Sequence, residues 1–423
     1  MDMKGAFFSS LFFYLLFSQD LIKAEEPVQA EIFIEIEMYA TIPKKKCLVF
    51  KCNGGRAHDS AARALKANFN DEFEIIVVNI FEEVINSIDP VRLFTFKKYS
   101  GEDLFNFCIQ NEFAWFANYI WDIGSWCIRK QHKRIENLFY DFMKKYAADC
   151  AISVIPAFNG AILSAAKNLN IPFLMVTLDL DTTYFFNGIE QPAYDKFLCT
   201  FIFDDIHLKN KITRVRLPDT YMKIVGFPLQ PQFFEEKDEV IIKKDFNIPE
   251  EKPIILLIMG GMGSSANFYY VQEIAKITIP VHVVVCLGKN EKLRKKIEKI
   301  PLPAQVTITI LGFTDRISDL MAIADILITK PGPTSLCEAL QMNLPVFLHK
   351  TTQCAPWEFE TYGFIERNHF GECITQIKKV NELLIDYLTH PEKLYTIRKT
   401  MNEYPKNNFF EAVRPLLHTL LGL

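Results

Sequence analysis

Residues 311–345 read LGFTDRISDLMAIADILITKPGPTSLCEALQMNLP. The run Ile326–Thr329 is short, apolar and β-branched, the pattern of a buried strand. It ends in Lys330-Pro331-Gly332-Pro333, and Thr334-Ser335 then opens a helix. Gly332 permits a tight turn with close backbone approach. The helix start offers free N–H groups and the positive end of the dipole, which suits a diphosphate. Glu338 lies one turn into that helix, where a carboxylate can accept both hydroxyls of a ribose. On residue types alone, the same pattern also describes an ordinary capped turn before a helix.

The strand–turn–helix unit recurs on either side. Strand candidates at 254–259, 281–286, 306–310 and 346–348 surround it at regular intervals, with helical sequence in each gap. Gly260-Gly261-Met262-Gly263-Ser264 forms a Gly-rich turn after the first of them. An earlier rhythm places strands at 47–52, 75–79, 150–155, 172–176 and 197–203, preceded by an alternating segment at 31–40. Such alternation predicts an α/β fold with mostly parallel sheets and helices on both faces. The two rhythms meet near the charged stretch 235–251. The expected architecture is two doubly wound, Rossmann-like domains facing across a cleft, with ligands at the C-terminal ends of the strands. The domains fall at 27–235 and 236–400, with a leading segment 1–26 and a helical tail 401–423 able to pack back on the first domain.

Composition narrows the class. The 423 residues are 49% hydrophobic and 23% charged, which a chain of two or three globular domains matches and a disordered one does not. With only 17 glycines, no repeat period and no charge blocks, collagen-like, coiled-coil and low-complexity readings fail. The formal charge of −4 gives no reason to expect nucleic acid. The ten cysteines are scattered without CxxC spacing, and no His pair sits at metal-ligand spacing. They read as reduced core residues, and no metal is expected. In 1–26, Lys4 precedes an apolar run over 5–17, too short for the ~20 residues of a spanning helix. It fits a signal-peptide core or an uncleaved interfacial anchor. Further on, Trp115, Trp121 and Trp126 interleave with Phe113, Phe116 and Tyr119, and Arg129, Lys130, Lys133 and Arg134 follow. Amphipathic aromatics beside a basic patch suit an anionic membrane surface; a core helix with a solvated basic face gives the same pattern.

The residues also carry a resemblance. Gly312-Phe313, Asp319-Leu320-Met321, Ala324-Asp325, Thr329-Lys330, Gly332-Pro333, Glu338-Ala339-Leu340 and Leu344-Pro345 resemble the donor-binding signature of family 28 glycosyltransferases. In order and spacing they are most similar to its diacylglycerol enzymes. Residues 254–264 resemble the family's Gly-rich strand-turn, 284–290 its V-x-C-G-x-N segment, and 225–233 its hinge-proximal G-x-P-x-x-P-x-F. In the first half, residues 53–65 resemble the family's Gly-rich loop with a His opening a helix. Residues 152–156 and 176–179 fall where the family has a strand ending in Pro and a T-D segment. The resemblance spans about 46–380. Departures are Thr334 in place of Gly, Pro331 in place of a small residue, one extra residue between Gly55 and His58, Trp357-Glu358 in place of an acidic or Gln pair, and Gln230 in place of Arg.

The resemblance implies the two-domain GT-B fold and an inverting transfer of a hexose from a UDP-sugar to a membrane lipid, with diacylglycerol first among acceptors. Neither metal nor cofactor is implied beyond the UDP-sugar co-substrate. The first domain then binds acceptor and the second binds donor. His58 becomes the base that takes the acceptor proton, with Asp59 and Asp179 as alternatives and Asp179 equally able to orient His58. Gly332, Thr334 and Ser335 hold phosphate, and Gly261, Gly263 and Ser264 add donors to the same diphosphate. Phe313 and Thr314 border the uracil, Glu338 binds the ribose, and Trp357 and Glu358 stand by the sugar, where Trp357 could also be packing. Trp115, Trp121, Trp126, Arg129 and Lys130 form the acceptor and membrane face. The partners expected are UDP-sugar, lipid and a membrane surface, with the protein peripheral on the cytoplasmic side. Rival readings are a polyprenyl-diphosphate-linked acceptor, a UDP-sugar epimerase, and a binding protein without turnover.

Overall fold

A computed structural model describes residues 43–54, 57–110, 114–189, 193–211, 217–260, 264–351 and 354–423. The leading segment 1–26, the strand candidate at 31–40 and the turn residues Gly261 and Gly263 lie outside the described residues. So does the side chain of Trp115.

Two six-stranded sheets carry the fold, and every strand pairing in them is parallel. The first holds β1 (Lys46–Lys51), β2 (Glu74–Asn79), β3 (Cys150–Ser153), β4 (Phe173–Val176), β5 (Phe197–Phe201) and β6 (Met222–Ile224), in the order β2-β1-β3-β4-β5-β6. The second holds β7 (Ile254–Ile258), β8 (Val281–Cys286), β9 (Val306–Leu311), β10 (Ile326–Thr329), β11 (Val346–His349) and β12 (Gly371–Ile374), in the order β12-β11-β10-β7-β8-β9. Central strands such as β7 and β10 are buried along their whole length, because helices cover both faces of a parallel sheet. Their near-continuous Ile and Leu sequence follows from that.

Edge strands β6 and β12 were not expected. Met222–Ile224 is only three residues and half-buried. Gly371 opens β12 at φ +151°, where a Cβ would run into the Val346 backbone, so this strand starts on a residue that strand patterning counts against. The basic helical stretch after Arg129 also divides. The helix Ala114–Lys130 ends there, and His132–Lys145 begins after Gln131.

In each sheet the strand order reverses once, and a crevice opens at such a point. In the first sheet it lies between β1 and β3, in the second between β7 and β10. The loops leaving these four strands face one another. Residues Lys45–Leu423 pack as one unit, and a single apolar cluster runs from Leu48 of β1 to Leu256 of β7 and Leu327 of β10. The chain crosses back at its end. Phe410, on the last helix Phe409–Leu421, packs edge-on against Phe69 at 5.5 Å. Arg414 and His418 of the same helix reach Glu72 at 2.7 and 2.8 Å.

Candidate active site between the two sheets

A cavity of about 1080 Å3 opens between the two reversal points. Its first wall is the loop after β1. Cys52, Asn53 and Gly54 line it, and the helix Ala57–Phe69 brings in His58. His58 Nδ1 lies 2.6 Å from the Val154 carbonyl, which can only accept. Nδ1 therefore carries the proton, and Nε2 keeps its lone pair. Burial lowers the His58 pKa, with the charge of Asp179 pulling it back up, so the ring is neutral near pH 7. Asp179 is itself nearly buried and lines the same cavity. Burial pushes its carboxyl up to about 7; His58 opposes that rise and Glu358, from the second half, adds to it. Asp59 is differently placed, because Lys51 at 2.7 Å and Arg63 at 3.1 Å hold its carboxylate in ion pairs. That engagement suits Asp59 to bracing the helix start rather than taking a proton.

Two further residues steady the loop and were not anticipated. Glu102 accepts the Asn53 N–H at 2.8 Å, and Asn106 donates to the Asn53 carbonyl at 3.0 Å. Both stand on the helix Gly101–Gln110. Nothing near Glu102 in the sequence marks it, since an acidic residue in a helix's first turn is favourable anyway.

The opposite wall comes from the loops after β7 and β10. Gly260 leaves β7 at φ +80°, a conformation that favours glycine, and Ser264 follows on the cavity wall. Gly332 caps the helix Pro333–Gln341 without any side-chain hydrogen bond, and Pro333 takes the first helical position. The N–H groups of Thr334 and Ser335 have no acceptor within the helix, as at any helix start. Thr334 Oγ1 is buried and has no hydrogen-bond partner. Gly332, Thr334 and Ser335 all line the cavity, facing the His58 wall. Glu358 lines it as well; burial raises its carboxyl while Lys330 holds the rise in check.

Trp357 joins the two walls. Its ring lies 5.1 Å from Trp121, 5.5 Å from Tyr184 and 6.1 Å from Phe105, all first-half residues. Trp121 is therefore turned inward onto this cluster. Trp126, Arg129 and Lys130 on the same helix face outward. Phe313 stands half-exposed on the cavity rim. Thr314 does not line the cavity, and its hydroxyl accepts the Arg316 N–H. Glu338 sits one turn behind Thr334 on the same helix face and is not among the lining residues; burial pushes its carboxyl up to about 8.

Outside the cavity, Leu93, Phe94, Phe96 and Tyr99 are exposed beside Lys97 and Lys98, and Phe96 is 95% exposed. The sequence signal was present in FTFKKY, aromatics interleaved with lysines. Among the described residues, no helix is long and apolar enough to cross a membrane, and no group of three or more His, Cys, Asp or Glu is placed to hold a metal ion.

Residues 255–348, which carry the loops after β7 and β10, match the glycosyltransferase family 28 C-terminal domain. Over 383 residues the chain is 24% identical to the processive diacylglycerol beta-glucosyltransferase of Bacillus licheniformis, covering 87% of this chain and 93% of that one. Among solved structures, Acinetobacter baumannii MurG superposes with a TM-score of 0.59 at 14% identity, covering 89% of this chain and all of that one. The UDP-GlcNAc 2-epimerase of Neisseria meningitidis, bound to UDP-GlcNAc, superposes with a TM-score of 0.53 at 15% identity, covering 90% and 100%. The resemblance to family 28 glycosyltransferases holds, and the architecture is the GT-B fold.

Proposed function

We propose that this chain, a GT-B protein with a family 28 C-terminal domain, moves a hexose from a UDP-sugar to the hydroxyl of a membrane lipid, with diacylglycerol as acceptor. One observation carries the reading. A histidine with a free Nε2 lone pair and a helix N-terminus without a side-chain cap, bearing an unpartnered hydroxyl, line one cavity from opposite walls. The first suits an acceptor proton, the second a diphosphate leaving group.

The chemistry follows from those positions. The acceptor oxygen attacks the anomeric carbon, and its proton passes to His58 Nε2. The bond from the anomeric carbon to the phosphate oxygen breaks, and its electron pair leaves with UDP. A single displacement of this kind inverts the anomeric carbon. The N–H groups at Thr334 and Ser335, the Thr334 hydroxyl and the helix dipole receive the charge that develops on the diphosphate. Asp179, when ionised, stabilises the imidazolium. Glu338 takes the ribose hydroxyls from the turn behind, with Phe313 and Thr314 near the base and Glu358 near the sugar. The donor groups at the helix start supply charge stabilisation without a metal in this scheme. The name of the Bacillus licheniformis relative supports glucose and diacylglycerol. The protein would work as a peripheral membrane enzyme on the cytoplasmic side, where UDP-sugars are available.

The test is UDP release with UDP-glucose, UDP-galactose or UDP-N-acetylglucosamine and diacylglycerol vesicles, beside Thr334→Val and Glu338→Ala. Lipid-dependent release with one donor is expected. Thr334→Val should lower kcat about tenfold to a hundredfold through the lost donor, and Glu338→Ala should weaken UDP binding. Interconversion of a UDP-sugar without lipid or UDP release would instead make the protein an epimerase.

A further inference from the structure

We infer that the apolar end of the cleft is a compartment for one acyl chain of the lipid acceptor, entered from the membrane side, so that the lipid is held by its tail inside the protein as well as by its headgroup at His58. This rests on the lipid-transfer reading above and goes beyond it in naming where the chain lies.

The first observation is a void with apolar walls. Ile80, Ile85, Ile88, Ile135 and Phe158 are each no more than 7% exposed, yet all of them line the cavity. Protein interiors are close-packed, and side chains that line an open cavity lack partner atoms on that side. The two carboxylates at this end are already engaged, Glu102 with the Asn53 N–H. Asp89 accepts the N–H groups of Val91, Arg92 and Gly101. A compartment of this chemistry suits hydrocarbon rather than a second sugar.

The second observation concerns backbone. Ile80–Val84 forms a π-turn directly after β2, a rare form that recurs at functional sites. On the helix Ala114–Lys130, Gly124 also lines the cavity, and a Cβ built there meets no atom of the described residues within 4 Å. A mid-helix glycine weakens a helix relative to alanine. Among the described residues no close neighbour demands the glycine, and its effect is to leave the volume in front of it open.

The third observation gives the way in. Ile123, one residue before Gly124, both lines the cavity and is 45% exposed. The compartment therefore reaches the surface where Tyr119 and Trp126 are exposed on the same helix. Pro90 and Val91 line it just ahead of the exposed Leu93, Phe94 and Phe96. Lys97, Lys98, Arg129 and Lys130 are exposed on the same two segments, which complements anionic headgroups around a lipid leaving the bilayer.

The test uses the full chain with Gly124→Leu and, separately, Ile88→Phe, two fillings from different segments of the lining. The probe is cis-parinaric acid, whose fluorescence rises in an apolar site. Wild type should bind it saturably at about one per chain. Both variants should lose at least tenfold in affinity while calorimetric UDP affinity stays within twofold. Gly124→Leu should also raise Tm, a gain that a merely damaging substitution would not give. In transfer assays with monomeric lipids, wild type should prefer dioctanoylglycerol to dihexanoylglycerol by about tenfold in kcat/KM, and Gly124→Leu should collapse that preference to under twofold. Undiminished parinarate binding in both variants, or no saturable binding in wild type, overturns the compartment. If parinarate binding is lost in the variants but no lipid supports UDP release, the compartment stands and the lipid-transfer reading falls.

Discussion

The two reversal points are built from different materials. The second half offers backbone to the cleft, through a glycine leaving β7, a Gly-Pro turn leaving β10 and a helix start without a side-chain cap. The first half works with side chains drawn from distant segments: His58 against Val154, Asp179 beside them, Glu102 under the loop, and isoleucines from three elements around a void. Backbone recognition is compact in sequence, because the glycines and prolines it needs must be adjacent. Side-chain recognition is dispersed, because it is assembled only when the chain has folded.

That contrast predicts a division of labour, and the largest effect tests it directly. His58→Ala should lower kcat by about a hundredfold to ten-thousandfold through the lost base, while UDP affinity by calorimetry remains that of wild type. A matching fall in UDP affinity would erase the distinction between the halves.

An intermediate effect sharpens it by pH. Asp179 titrates near 7 and must be charged to support the imidazolium, so wild-type kcat/KM should climb as pH rises through about 7. In Asp179→Asn that step disappears. The remaining limb belongs to His58, whose pKa lies below 6.5 and falls further once the neighbouring charge is gone. Stability should move the other way. The folded Asp179 pKa lies above its unfolded value of 3.8, so the wild-type fold loses stability as pH rises from about 4 to about 7. The amide escapes that loss, and Asp179→Asn should gain more in Tm at pH 8 than at pH 5. Complete loss of transfer at every pH would move the base from His58 to Asp179.

The smallest effect lies at the surface of the first half. Phe96 and Lys97 adopt left-handed backbone, with φ of 52° and 68°, which makes the segment a tip. Phe96→Ser should weaken co-sedimentation with anionic vesicles about fivefold to tenfold and leave UDP affinity unchanged. Equal binding to neutral vesicles would remove Lys97 and Lys98 from the account.

The same contrast explains what could be read from the sequence. The strands β7 to β11 and the turn at 330–335 are legible because an apolar run closed by Gly and Pro has few other uses. The strand β12 is not, because it opens on Gly371 and lies at an edge. Trp121 and Trp126 are five residues apart and read alike, yet one packs on Trp357 and the other faces outward. Only the position of the second sheet decides between them. Ile85 and Ile88 are indistinguishable in sequence from core isoleucines, since burial against a neighbour and burial against a void leave the same residue type. Glu338 was legible as a residue of the right helix, but its depth behind Thr334 depends on how the helix rotates against the sheet.

The returning helix Phe409–Leu421 has a consequence for biosynthesis. Phe69 and Glu72 of the first half meet partners that are made long after them, Arg414 following Glu72 by 342 residues. Domains ordinarily fold in order of emergence, at synthesis rates near 5–20 residues per second. Here the first half must wait on the order of ten to thirty seconds after its own strands are made before its cover arrives. Through that interval it presents an apolar face around Phe69 and Phe73, and a chaperone that shields this face would serve the nascent chain rather than the finished enzyme.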